Sequence, residues 1–359
     1  MRIVVSGYGV DASDSPLRSR IADPLRFLGH EVVAVAPTKA AIKWGLNRYS
    51  PEMLVVIPSA GSPDRSEIRT LTADSGTVSV CMHTGPTEPK LCTEFTELDD
   101  DLREYDLVTV PDRDVYEEYS AVGTYRLSLM EPATHPPALM DFVPSTRSGM
   151  LLIGDANPAN IDAVATLDHL HDLLVMGEGW SELPLDITIV EPLPLPDRAS
   201  LLAGVDLIIE LETALSHQSA IRRSHLELGL SHGVYEAAVV GTPSLVQARP
   251  AVPQVFAPGE EIFVYESLSD LSDLAPLLLA DLQELRNVGE AAWSRVTAEH
   301  TWTQRWRTFL EPWVIDPEIG RDEEIHYSDQ TRSLSKAAVS YTHLRAHETR
   351  EDRGWRRVG

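Results

Sequence analysis

The sequence predicts an α/β protein made of two Rossmann-like domains, each built on a parallel sheet. Three observations predict it. Short, near-continuous apolar runs such as Ile3-Val4-Val5, Met53-Leu54-Val55-Val56-Ile57 and Met150-Leu151-Leu152-Ile153 recur along the chain, as in strands buried on both faces. Segments with helical spacing of apolar residues separate them. The alternation pauses at the polar, turn-rich stretch from Pro144 to Gly149 and then restarts, which places a domain boundary there.

Composition bounds the reading. A chain of 359 residues with 43% apolar content is long enough for two domains with their own cores. The formal net charge of -25 opposes nonspecific binding to nucleic acid or to an anionic membrane. Cys81 and Cys92 are the only cysteines, and no Cys-x-x-Cys pair suggests a metal. No apolar segment is long enough to span a bilayer. A cytoplasmic protein with no nucleic-acid partner and no membrane insertion is the expectation.

In the first half, Arg2 to Ser6 reads as a strand, Gly7-Tyr8-Gly9 as a tight turn, Ser15 to Leu28 as a helix and Glu31 to Val35 as the second strand. The turn lacks the third glycine of the dinucleotide fingerprint, and the second strand lacks its acidic end, so no NAD site is expected. Strands follow at Met53 to Pro58, Val78 to Met82 and Asp106 to Pro111, with a helix from Val115 to Val122 closed by Gly123. His83, just past the strand Val78 to Met82, lies where open parallel sheets bind ligands. It is the candidate general base, although a loop histidine without a catalytic task fits the same pattern. Asp99-Asp100-Asp101 precedes a helix and reads as solvated surface or an N-cap rather than a metal-binding Asp-x-Asp. Glu131 to Pro137 is held extended by its prolines.

The second half repeats the plan. Met150 to Asp155 enters a polar turn and is followed by a helix from Ile161 to His171. Strands then run over Leu173 to Met176, Ile187 to Val190 and Asp206 to Ile209, with a helix around Arg198 to Leu202. His232-Gly233-Val234-Tyr235-Glu236-Ala237-Ala238 reads as a short helix with a carboxylate near its start, and Gly241-Thr242-Pro243 leads into the strand Ser244 to Val246. A helix start favours a carboxylate or a phosphate. Ile262 to Tyr265 is the next strand. Leu268 to Leu310 has helical spacing, with a last amphipathic helix capped by Thr301. Beyond Pro317 the chain turns polar and is expected to be a disordered tail.

Three features of the second half resemble the CgeB/YkvP-type glycosyltransferase-like family. Gly154-Asp155 closes a strand where that family has an Ile-Gly-Asn-type turn. Met176-Gly177-Glu178-Gly179-Trp180 is similar to its hydrophobic-Gly-x-Gly-Trp segment. Val234 to Gly241 is similar to its Phe-Glu-Ala-x-x-x-Gly helix. Val255 to Glu261, Glu299-His300-Thr301-Trp302 and Arg305 continue the likeness, which spans residues 148 to 313. It is thin in the first half.

The resemblance implies the GT-B fold: two Rossmann-like domains facing a central cleft. It assigns 1–145 to an acceptor-side domain, 149–300 to a nucleotide-sugar-binding domain and 301–316 to a helix crossing back. The tail 317–359 falls outside, and its end resembles a translated sequencing-adapter artefact, which discounts His343 and His347 as ligands. The implied activity is transfer of a sugar from a UDP- or GDP-type nucleotide sugar to an unidentified acceptor, with no cofactor and no essential metal. In that reading Glu236 holds the ribose. Gly154, Gly177 and Gly179 let backbone approach the donor, with Asp155 in the same turn. Trp180 or Tyr235 packs near the base or sugar, His232 stands beside them, and Arg222 or Arg223 neutralises the pyrophosphate. The sequence departs from the family at Leu228, where retaining enzymes carry a second glutamate, at Gly233, where the family has arginine, and at Asp155 for asparagine. These departures leave a degenerate binding protein as one alternative; a nucleotide-sugar epimerase, which shares the two-domain cleft, is the other.

Overall fold

The computed structural model describes residues 1–12, 15–59, 61–84, 97–111, 113–121, 123, 126–135, 147–167, 169–170, 172–183, 187–191, 193, 195–211 and 229–315. Arg222, Arg223, Leu228, Cys92 and the tail lie outside them. The chain forms two compact units. Of the described residues, one holds those of Met1–Tyr8, Glu31–Met130 and Trp306–Ile315; the other holds those of Gly9–His30 and Glu131–Arg305.

The first unit carries strands β1 (Arg2–Ser6), β2 (Glu31–Val35), β3 (Met53–Val56), β4 (Val78–Met82), β5 (Leu107–Val110) and β6 (Leu127–Leu129). They form one parallel sheet in the order β2-β1-β3-β4-β5-β6. The β-branched runs are buried on both faces, as the apolar continuity requires: Val4, Leu54, Val56, Cys81 and Val108 share one core. Helices α2 (Lys39–Tyr49), α3 (Arg65–Ser75), α4 (Glu97–Glu104) and α5 (Arg113–Ala121) belong to this unit. Asp64 and Glu67 close a reciprocal capping box at the start of α3. The predicted helix from Ser15 to Leu28 is a π-helical turn, Arg18–Ala22, running into a short α1 (Asp23–Phe27) with Pro24 in its first turn.

The second unit carries β7 (Met150–Ile153), β8 (Leu173–Met176), β9 (Thr188–Val190), β10 (Leu207–Glu210), β11 (Ser244–Gln247) and β12 (Phe263–Tyr265). All pairings are parallel, in the order β12-β11-β10-β7-β8-β9. The order reverses between β7 and β10. In doubly wound sheets that reversal sends neighbouring crossovers to opposite faces and opens the ligand position at the strands' C-terminal ends. Around this sheet stand α6 (Pro158–Leu167), α7 (Leu195–Gly204), α8 (His232–Val239), α9 (Val252–Val255), α10 (Leu268–Ala280) and α11 (Leu282–Glu299), while α12 (Trp302–Ile315) starts in this unit and ends in the other. The helical stretch from Leu268 to Leu310, with its separate last helix from Thr301, is therefore three helices, the part before Thr301 being split in two. Asp281 ends α10 and caps α11 by accepting the Glu284 N–H at 3.0 Å. Thr301 Oγ1 caps α12 by accepting the Gln304 N–H at 3.2 Å.

Two features prepare α8. Its C-terminal carbonyls on Val240 and Gly241 accept from Arg147 Nη2 at 3.0 Å and Nη1 at 2.8 Å, the favoured cation position at a helix end. The extended Glu131-to-His135 segment bridges Thr301 through Thr134, with the Trp302 N–H donating to Thr134 O at 2.9 Å. That contact sets the Trp302 ring 5.9 Å from His232.

Candidate functional site

The end of β7 and the end of β8 are fastened to one another. The Gly154 N–H donates to Met176 O at 3.0 Å and the Ala156 N–H to Glu178 O at 2.8 Å. Asp155 Oδ1 accepts the Glu178 N–H at 2.9 Å, and its carbonyl accepts Asn160 Nδ2–H at 2.8 Å. A Cβ on Gly177 would stand 2.1 Å from Gly154 O, and one on Gly154 would stand 2.7 Å from Leu211 Cβ. These glycines are thus demanded by close contact between strand ends. The expectation that Gly154, Gly177 and Gly179 make room for a donor needs correcting for Gly154 and Gly177, whose missing side-chain space is filled by the protein. Gly179, at φ +81°, has Ala156 Cβ at 3.3 Å from its Cβ position.

Trp180 is also not where a ligand-stacking ring would be. It is fully buried in the core beside β7, β8 and β10, and its indole N–H donates to Gly154 O at 2.7 Å. A buried indole with its N–H satisfied is packing with a polar handle. Tyr235 is likewise buried, its ring 5.9 Å from both Phe256 and His300. Both aromatics are packed within the core of the second unit.

Glu236 lies deeper in α8 than the sequence suggests. It is the fifth residue of the helix, and the first turn holds no acidic group, so dipole complementarity does not explain it. Its partner is Arg198 on α7, whose Nη2 donates to Glu236 Oε1 at 3.1 Å. Burial raises the Glu236 carboxyl above its ordinary value, while Arg198 and then Arg20 pull it back. One turn earlier, burial first and the Arg20 guanidinium second push His232 down to about 3, against a backbone hydrogen bond with Ala133. The imidazole is neutral at physiological pH. Two arginines, a carboxylate and a neutral imidazole therefore share one face of α8.

A second ion pair closes the end of β10. Glu210 is buried, accepts the Ser231 N–H at 2.7 Å and binds Arg249 Nη2. It holds the N-terminal end of α8 against the strand end at the sheet's switch point. Among the described residues, Arg198 Nε, Ser231 Oγ and Arg249 Nε are buried without a hydrogen-bond partner. Buried polar atoms are nearly always paired. These orphans are three of ten such side-chain atoms among the described residues, and they come from α7, the residue before α8 and the chain just after β11.

Residues 160–311 match the model of a family described as glycosyl transferase-like. The matched segment contains Arg198, Glu210, Ser231, Glu236 and Arg249, and begins after Gly154 and Asp155. No curated protein matches the chain by sequence. Among solved structures, the chain is similar to sucrose-phosphate synthase from Thermosynechococcus elongatus, with 13% identity, a TM-score of 0.59, and 88% of this chain and 100% of that one covered. It is similar to Anabaena HepE in complex with UDP-glucose, with 10% identity, a TM-score of 0.59, and 88% and 100% covered. It is also similar to a putative UDP-N-acetylglucosamine 2-epimerase from Listeria monocytogenes, with 14% identity, a TM-score of 0.54, and 89% and 97% covered. These likenesses show the fold: α/β, with the two parallel sheets of the GT-B class.

His83 is in the first unit, and its Nε2 lies 3.0 Å from Asp101 Oδ2 and 3.7 Å from Cys81 Sγ. These contacts engage one ring nitrogen of His83, Nε2. Asp101 departs from the surface reading as well: it is buried within α4 and paired with Arg65 at 2.6 Å.

Sequence reasoning missed Arg20, Arg198, Glu210 and Arg249. Only Glu210 had a local signal, a carboxylate ending the apolar strand Leu207-Ile208-Ile209. The arginines become visible through tertiary pairing. No described helix is long and apolar enough to cross a membrane.

Proposed function

We propose that this chain is a glycosyltransferase that holds a nucleotide-sugar donor in its second unit and transfers the sugar to an acceptor. The observation that carries the reading is the orphaned polar set, Arg198 Nε, Ser231 Oγ and Arg249 Nε, at the switch point of a sheet inside the segment that matches a glycosyl transferase-like family. Guanidinium N–H groups and a helix start together suit a diphosphate. In this proposal Arg198 and Arg249 meet the diphosphate, and Glu236 accepts hydrogen bonds from the ribose hydroxyls. Asp155 and Gly179 border the donor from the ends of β7 and β8. Gly154, Gly177, Trp180, Tyr235 and neutral His232 are positioning residues. Stabilisation of the leaving diphosphate is where such cations lower a transfer barrier.

The family match favours transfer over epimerisation, and the complex of HepE with UDP-glucose makes that sugar nucleotide the first probe. The finer CgeB/YkvP-type assignment, a cytoplasmic location and turnover without Mg²⁺ belong to the same proposal. The test is a thermal-shift and calorimetric screen of UDP, UDP-glucose, GDP and GDP-mannose, followed by product analysis. A ligand at about 100 times its Kd stabilises the folded chain by about 2.7 kcal/mol. Binding that weakens at least tenfold in Arg249→Gln supports the reading, as does donor turnover that Mg²⁺ leaves unchanged after EDTA dialysis. No response to any nucleoside diphosphate sinks it. Binding without turnover makes the chain a binding protein.

A further inference from the structure

A separate group of chemistry-bearing side chains lies in the first unit. Cys81 is in β4, His83 follows two residues later, and Asp101 comes from α4. Residues two apart on a strand and its extension face the same side. Leu98 and Tyr105, at either end of α4, pack in the core that also holds Cys81, which brings Asp101 onto that side. The ligating atoms of all three residues lie within 4.8 Å of one another.

The geometry separates two chemistries. A thiol nucleophile with a histidine base and a carboxylate uses both ring nitrogens, one toward sulfur and the other toward the carboxylate. Here a single nitrogen faces both: His83 Nε2 is 3.7 Å from Cys81 Sγ and 3.0 Å from Asp101 Oδ2. Three ligand atoms this near one another are within reach of a single metal ion. Sulfur at about 2.3 Å, nitrogen at about 2.0 Å and oxygen at about 2.0–2.2 Å around tetrahedral zinc stand roughly 3.3–3.7 Å apart; the 3.7 Å Sγ–Nε2 distance meets that range, and the 3.0 Å Nε2–Oδ2 distance must open slightly to admit an ion. Arg65 Nε donates to the other carboxylate oxygen, Asp101 Oδ1, at 2.6 Å. That bond fixes the carboxylate with Oδ2 toward the point of convergence, as outer partners orient ligands.

We propose that Cys81, His83 and Asp101 form a three-ligand zinc site, with a fourth position for water. A thiolate, an imidazole and a carboxylate suit Zn²⁺ and disfavour Mg²⁺. Binding exchanges the Cys81 S–H bond for an S–Zn bond and releases the proton to solvent. The site joins β4 to α4 within the first unit.

The test uses the full, untagged, reduced chain titrated with Co²⁺ and then Zn²⁺. One equivalent of cobalt is expected to give thiolate-to-cobalt charge-transfer absorption, displaced by zinc. The band should persist in Cys92→Ser and vanish in Cys81→Ser. His83→Ala should weaken zinc binding, measured against a chromophoric chelator, by more than about 100-fold, since even outer partners cost 10–100-fold. The proposal is overturned if the natively folded chain gives no thiolate band, or if the band follows Cys92. Should Cys81→Ser fail to fold, His83→Ala decides, and zinc affinity unchanged in that variant overturns the proposal.

Discussion

Removing Arg198 should expose what Glu236 depends on. In the native chain the Glu236 carboxylate is buried, with 9% of its side chain exposed, and its oxygen accepts from Arg198 at 3.1 Å. Breaking a buried pair leaves one uncompensated charge and costs about 3–5 kcal/mol. Arg198 keeps 23% exposure, so about 3 kcal/mol is expected for Arg198→Ala at pH 7.5. Glu236→Gln removes the charge at nearly constant shape, and in that background Arg198→Ala should cost only about 1 kcal/mol. The coupling energy is then about 2 kcal/mol, well within what contacting charged partners show.

The pH dependence has a definite sign. Burial raises the Glu236 carboxyl, and Arg198 is the first of the two groups that pull it back. Without Arg198 the folded-state value rises further above that of the unfolded chain. A raised group contributes stability below its unfolded value and loses it as pH rises through the folded value. The deficit of Arg198→Ala should therefore shrink at pH 4.5 and grow toward pH 7.5. Urea unfolding followed by tryptophan fluorescence, at both pH values and for all four members of the cycle, measures this. Additive costs, or a deficit that does not change with pH, would refute the pairing.

Three further outcomes follow from the same geometry. Gly177→Ala should destabilise by more than about 3 kcal/mol, the upper range for overpacking, because its Cβ would sit 2.1 Å from Gly154 O; Gly233→Ala, whose nearest neighbours would be Ser231 Oγ at 3.4 Å and Ile153 Cδ1 at 3.5 Å, should change the urea midpoint little. Asp155→Asn keeps an acceptor for the Glu178 N–H and should be near neutral, whereas Asp155→Ala leaves that donor to solvent and should cost about 1 kcal/mol; equal melting temperatures for the two variants would remove the bridge. His300 is pushed down to about 3, by burial first and the nearby Arg305 and Arg295 guanidiniums second; being lowered, it stays neutral while the unfolded chain protonates, so stability falls between about pH 6.5 and pH 3, and a proton NMR resonance of His300 titrating near 6.5 would contradict this.

The strands were legible because each is a closed apolar run, and apolar continuity is a local property. Their order was not: β7 lies beside β10 through hydrogen bonds that no window of sequence contains, and that adjacency makes Gly154, Glu210 and Leu211 neighbours. The same gap explains the misread aromatics. Gly177-Glu178-Gly179-Trp180 looks like a ligand turn because glycines admit close approach, but what approaches Gly177 is the Gly154 carbonyl, and Trp180 donates to that carbonyl from within the core. Glu236 was legible as a carboxylate in a short helix of small residues and illegible as a pair, since Arg198 is 38 positions away and Arg20 comes from the chain's first helical segment. A site made of charges is thus harder to read than the sheet that carries it. Burial makes such a charge costly unless it is paired, and the sequence does not say which residue supplies the partner. For this chain the cost of leaving Glu236 unpaired is the quantity that ties the fold to the proposed donor site, because the guanidinium that pairs Glu236 also has an unpartnered Nε.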